Sequence, residues 1–206
     1  MERSIITISR EYGSGGRHVG QLLSEAIGIP FYDRDIIKLS AENLGVSTGF
    51  IEKTDESIPN TFLHNLTYSA YSAYDYVSLY DTPVTDKVFL AQSTVIKELA
   101  QQGSCIIVGR CADYILRDDP DLIKIFIRGE VEDRIKLAIE QYGLSEEKAV
   151  ESIKKIDKSR NNYYKYYTSR QWGSISNFDI VINSSFTGID GAVAILKTML
   201  DTRKKI

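Results

Sequence analysis

The chain has 206 residues, 43% of them apolar and 26% charged, the balance of a folded protein with a sizeable single core rather than of a disordered chain. A formal net charge of -3 disfavours non-specific nucleic-acid binding, which needs clustered positive charge to displace counterions, so any anion site has to be local. Two cysteines and two histidines (Cys105, Cys111, His18, His64) supply neither a disulfide framework nor a zinc cluster, and no run approaches the roughly 18 apolar residues of a membrane span.

In chain order, Met1 to Ser4 lead directly into an apolar run without the features of a secretory signal, which suits a reducing, cytoplasmic setting. Ser4 to Ser9 read as a buried strand. Glu11-Tyr12-Gly13-Ser14-Gly15-Gly16-Arg17-His18 follow, and then an apolar stripe of Leu22, Leu23 and Ala26 marks a helix opening at Arg17. Against the phosphate-loop pattern G-x-x-x-x-G-K-[ST], Gly16 matches the second glycine, while Glu11, Arg17 and His18 replace the first glycine, the lysine and the hydroxyl. The physics of the loop survives these changes. Gly13, Gly15 and Gly16 free the backbone to turn N–H groups inward, the helix adds its positive end, and Arg17 supplies a permanent, forked cation. The candidate phosphate-binding residues are therefore Gly13, Ser14, Gly15, Gly16, Arg17 and His18, the alternative being a tight glycine turn without a ligand. Magnesium prefers oxygen ligands, so His18 is not expected to hold it; no metal ligand is identified directly, and a metal would be held through phosphates, water and carboxylates such as Asp33.

Ile29 to Tyr32 give a weaker strand, ending at Asp33 and Arg34. Pro59 to Pro83 contain Tyr68, Tyr71, Tyr74, Tyr76 and Tyr80 and no lysine or arginine. Three of these tyrosines recur on one helix face, either a packed or self-association surface or the wall of an acceptor site. Ser104 to Val108 and Leu122 to Ile127 are further buried strands. Helices are expected to start after Gly129, where Glu130, Glu132 and Asp133 favour the dipole, and at Ser145. Lys154 to Arg170 concentrate basic residues; on a helix Asp157 and Arg160 are spaced to pair. Asp179 to Asn183 form the last strand, and a closing helix after Thr187 and Gly188 buries Val193, Leu196 and Leu200. Strands alternating with helices predict an α/β fold with a largely parallel sheet.

These segments together resemble the cytidylate-kinase-like family, a branch of the nucleoside monophosphate kinases among the P-loop NTPases. The resemblance rests on Ile6-Thr7-Ile8 leading into Gly13 to Arg17, on Phe31-Tyr32-Asp33-Arg34, on Ile106-Ile107-Val108-Gly109-Arg110, on Lys124 to Ile127 and on Asp157 to Tyr164 with Tyr167-Thr168 and Trp172-Gly173. It implies one three-layer domain over 1–206 with a five-stranded parallel sheet, a helical acceptor-binding insertion at about 33–85 and a lid at about 154–174. It also implies ATP and Mg²⁺ as donor and cofactor and a small nucleotide as acceptor. By the same likeness Arg17, Arg110 and Arg160 are the catalytic candidates, and Asp33, Arg34, Arg110 and Asp113 the acceptor-binding ones; the alternatives are surface salt bridges for Arg110 and Arg160 and a helix cap for Asp113. Arg128 and Arg134 read as ordinary helix-flank charges. Cytidylate kinases carry aspartates on either side of the Gly-Arg pair, where this chain has Val108 and Cys111. Two other functions fit the same features: a kinase of a non-nucleotide small molecule, and a nucleotide-binding regulatory protein without turnover.

Overall fold

The computed structural model describes residues 3–56 and 83–203. The tyrosine-rich segment and its proposed self-association surface therefore lie outside the described residues, as does most of the expected acceptor-binding insertion beyond 56. Five strands form one parallel sheet in the order β2-β3-β1-β4-β5: β1 (Ile5–Arg10), β2 (Phe31–Tyr32), β3 (Cys105–Val108), β4 (Leu122–Arg128) and β5 (Ile180–Asn183). All five coincide with the apolar runs of the sequence to within two residues at each end, and the weak second run shrinks to two residues at the sheet edge.

Helices cover both faces, as parallel crossovers require. The side-chain period of two sends Ile6 and Ile8 of β1 to one face, with Ile106, Ile125 and Ile127. There they meet Val19 and Leu23 of α1 (Gly16–Ile27) and Ala192 and Leu196 of α8 (Ser184–Thr202). The other face sends Ile5 and Ile107 against Ile36 of α2 (Arg34–Leu44), Val95 and Ile96 of α4 (Val84–Gln101) and Ile115 of α5 (Ala112–Ile115). Each fully buried isoleucine contributes about 1.5–3 kcal/mol of apolar transfer. Between β2 and α4 lies α3 (Thr48–Thr54); between β4 and β5 come α6 (Val131–Tyr142) and α7 (Glu146–Thr168).

Local chemistry sets several of these ends. Ser145 caps α7, its hydroxyl accepting from the Lys148 N–H. Asn183 does the same for α8 through the Ser185 N–H. Two sequence expectations shift. The stripe of α1 is Val19 and Leu23 with Ile27 partly buried, and Ala26 is exposed, because residues four apart stack on the sheet-facing side and Ala26 turns away from it. The closing helix begins at Ser184 and breaks at Gly188, whose φ of 67° and ψ of 173° lie outside helical space. Among the described residues no helix is long and apolar enough to cross a membrane.

Candidate active site

At the carboxyl end of β1 the chain turns through the glycine loop into α1, beneath a cavity of about 370 Å³ lined by Gly13, Gly15, Gly16, Arg17 and His18 of the loop and by Arg160 of α7. Gly13 and Gly15 have φ of 78° and 74°, conformations that side chains rarely adopt. A Cβ on Gly13 would lie 2.6 Å from the Arg134 carbonyl oxygen, and one on Gly16 would lie 2.6 Å from Arg10 Cβ. The loop thus lies flat on its own scaffold, with the Tyr12 N–H turned to Asp157 and the Ser14 N–H to the Glu11 carbonyl. By helix geometry the first N–H groups of α1 lack intrahelical partners and carry the positive end of the dipole. A phosphate fits this cradle.

Ser14 does not join it. It is 1% exposed, and its hydroxyl lies at hydrogen-bonding distance from the carbonyl oxygens of Glu11 (2.9 Å) and Ile127 (3.0 Å), so its side chain braces the loop instead of touching a ligand. Arg17 reaches sideways, donating through Nε to Asp33 Oδ2 at 2.6 Å. Asp33, Arg34 and Arg17 line a second open cavity of about 460 Å³ beside the first. Arg110 also points at Asp33, with Nη1 3.4 Å from Oδ1. Burial opposes ionisation of Asp33, but the Arg17 hydrogen bond and the charges of Arg110 and Arg10 outweigh it and hold its carboxyl below the usual range.

Arg110 is 4% exposed and sits in a fork with Asp55, Nε to Oδ1 at 3.1 Å and Nη2 to Oδ2 at 2.8 Å. The pair is thus a buried bidentate ion pair, not the surface bridge that was the alternative for this residue. Gly109, Arg110 and Cys111 all have positive φ, and this coil aims the guanidinium back across the strand ends. Nearby, Glu56 bridges two further arginines: Arg10 Nη1 lies 2.9 Å from Oε1 and Arg160 Nε 3.0 Å from Oε2, while Arg160 Nη1 donates to the Arg10 carbonyl at 3.1 Å. Although burial penalises its charge, Arg10 and Arg160 drive the Glu56 carboxyl far below its usual range. Four arginines and three carboxylates therefore converge at the carboxyl ends of β1, β2 and β3.

Several expectations need correction. Asp113 is 3% exposed and lines neither of the two open cavities; it accepts a hydrogen bond from the Tyr164 hydroxyl at 2.6 Å, and burial raises its pKa. It is a core residue, and the cap of α5 is Cys111. Asp157 does not pair with Arg160. It pairs with Arg134, which is 5% exposed and no flank charge. Trp172 packs edge-on against Phe126, and Tyr167 stacks on Phe89 at 3.9 Å, so the aromatic run joins α7 to the body. Both cysteines are buried; desolvation pushes the Cys105 thiol up to about 11. Sequence reasoning missed Arg10, Asp55, Glu56 and Arg134. Arg10 is signalled by its place on the last strand position before the loop; nothing local marks the others.

ATP phosphates fit the residues present, with the loop N–H groups as the cradle. Among the described residues no three His, Cys, Asp or Glu side chains group to hold a metal; Mg²⁺ would be carried by phosphate oxygens and water, and Asp33, the carboxylate expected there, is engaged by Arg17 and Arg110.

Comparison with known proteins bears on the fold and the family. A cytidylate kinase from Thermococcus kodakarensis is 27% identical over 104 residues, 50% of this chain, and the match spans about half of that relative's length (53%). An uncharacterized protein from Eubacterium ventriosum ATCC 27560 superposes with a TM-score of 0.72 at 27% identity, covering 98% of this chain and 100% of that one. Shikimate kinase from Bacteroides thetaiotaomicron shares the P-loop kinase fold at a TM-score of 0.53 and 13% identity, over 96% and 98% of the two chains. The model of the cytidylate kinase-like family matches residues 5–186, and the chain belongs to that family.

Proposed function

We propose that this chain is a kinase that passes a phosphoryl group from ATP to a small acceptor, and that the acceptor is a nucleoside monophosphate. The observation that carries the reading is the convergence of Arg10, Arg110 and Arg160 on carboxylates of their own chain beside the glycine loop. Asp55 and Glu56 stand where the anions of bound substrates would serve equally well, and a phosphate monoester replaces them with two charges on one group. Arginine is suited to this exchange because its fork binds carboxylate and phosphate in the same bidentate geometry.

Bound ATP with Mg²⁺ would supply the transferable phosphoryl group and neutralise part of its charge. The chain's own residues do the rest by positioning. Loop N–H groups fix the donor phosphates. Arg17, held by Asp33, lines both open cavities, and Arg110, joined to Asp33 and Asp55, lies behind them. Arg160 reaches the loop cavity from α7; we read the segment at about 154–174 as the lid, which would exclude water over bound phosphates. Charge stabilisation of this kind needs no covalent intermediate.

The test is a screen of nucleoside monophosphates and small alcohols for ATP-dependent ADP release. Release with one nucleoside monophosphate alone supports the reading. Release with a small alcohol would favour the second reading, a kinase of a non-nucleotide acceptor, which Val108 and Cys111 recommend because both are buried and neither offers a carboxylate to a base. Tight ATP binding with no release in any mixture would make the chain a nucleotide-binding regulator.

A further inference from the structure

Against Glu11 and Tyr12 of the glycine loop lies a charged cluster whose members from other elements, Arg134 and Asp157, line neither open cavity. Arg134 of α6 donates through Nε to the Tyr12 carbonyl at 2.8 Å, lies with Nη1 3.4 Å from Glu11 Oε2, and forms a close ion pair through Nη2 with Asp157 Oδ2. Asp157 Oδ1 accepts from the Tyr12 N–H at 2.8 Å, and Glu11 Oε2 accepts from the Gly129 N–H at 2.9 Å. Both polar groups of Tyr12 are therefore held, the carbonyl by Arg134 and the N–H by Asp157. Directly after it, Gly13 meets the Arg134 backbone so closely that no Cβ fits.

Position separates this pair from Arg10, Arg17 and Arg160, which line the loop cavity: Arg134 and Asp157 line neither open cavity. Asp157, in turn, lies one helical turn before Arg160 on α7, so the same helix grips the loop from behind and reaches its cavity from the front.

We propose that Arg134 and Asp157 are positioning residues that hold the Glu11–Gly13 backbone in its phosphate-accepting shape and register α7 to it, so that the pair sets donor affinity and leaves acceptor affinity alone. By committing the Tyr12 N–H inward, the clamp directs anion binding to the N–H groups that follow. The inference rests on the phosphoryl-transfer reading above, and donor binding without turnover separates the two.

The experiment measures the dissociation constants of ATP and inorganic pyrophosphate, the KM for ATP and for the acceptor found in the screen, and the melting curve, for the parent, Asp157→Ala, Asp157→Asn, Arg134→Lys and the Asp157→Ala/Arg134→Lys double variant. Asp157→Ala is expected to weaken ATP and pyrophosphate about tenfold or more with the acceptor KM within about twofold, and Asp157→Asn, which keeps an acceptor for Tyr12, to fall between. The double variant should be no worse than the poorer single, as for groups acting as one unit. Donor affinity unchanged in Asp157→Ala overturns the proposal. So does a parallel loss of donor and acceptor affinity that merely follows the melting temperature. If Asp157→Ala does not fold, Asp157→Asn decides by the same criterion. A parent that binds neither ATP nor pyrophosphate overturns this inference together with the kinase reading; a parent that binds both without turnover leaves the clamp decidable on the dissociation constants alone.

Discussion

The glycine loop and the arginine–carboxylate cluster both prepare the protein for phosphate, by opposite means. The loop relies on backbone N–H groups and a helix dipole, and its side chains, Ser14 above all, brace it from within. The cluster relies on long side chains delivered from β1, the turn after β3, and α7, each matched by a carboxylate of the chain. One is fixed by where no Cβ can go, the other by which charges meet. The loop should therefore respond first to shape, with charge entering only through the Arg134–Asp157 pair behind it, and the cluster to charge and pH.

The largest effect on stability is expected from Arg110→Ala, which removes a buried guanidinium and leaves the half-buried Asp55 with the Gln92 amide as its remaining donor among the described residues; breaking such a pair costs about 3 kcal/mol, read as a fall in the denaturation midpoint. Gly15→Val tests the loop. It forces a β-branched residue to a φ of 74°, and its side chain would collide with Ile189. We expect a cost of about 2–3 kcal/mol and loss of measurable ATP binding by calorimetry; retained affinity would remove the loop from the site.

Glu56→Gln probes the cluster through pH. The folded carboxyl titrates below the 4.5 of an unperturbed glutamate, so its ionised form stabilises the fold above about pH 4.5 and that contribution is lost as pH falls through the folded value. The variant should melt below the parent at neutral pH, by about 1–3 kcal/mol, and the gap should close on acidification. A gap that does not shrink at all between neutral pH and about pH 3 would mean that packing, not charge, is what Glu56 supplies. Smallest in stability is Arg17→Ala. Its side chain is 54% exposed, so its bridge to Asp33 contributes under about 1 kcal/mol, yet turnover should fall about a hundredfold. Arg17→Lys sharpens the comparison, because full activity would show that charge suffices and inactivity that the fork is needed.

The same contrast explains what could be read before the structure. Continuous apolar runs betray strands buried on both faces, so Ile5–Arg10 and Leu122–Arg128 were legible, and glycines at a strand-to-helix turn announce the loop. The cluster was not legible in the same way. Asp157 and Arg160 are spaced to pair within a helix, yet Asp157 takes Arg134 from α6 and Arg160 takes Glu56 from the turn after α3. Local spacing ranks only local partners. A buried guanidinium held by several groups outcompetes an exposed pair, and no periodicity encodes which helix supplies it. Asp113 misled for the same reason, since its partner Tyr164 lies 51 positions away.

The position of β1 has a consequence for how the molecule is made. The first strand of the chain is the middle strand of the sheet, and Ile5 finds its neighbours only at Cys105 and Leu122. Such distant pairings close large loops and slow folding. During synthesis β1 and the glycine loop must wait for more than half the chain before either edge is covered, leaving an apolar strand open to wrong partners. Refolding should accordingly be slow and concentration-sensitive, and a fragment ending before β4 should aggregate instead of binding phosphate.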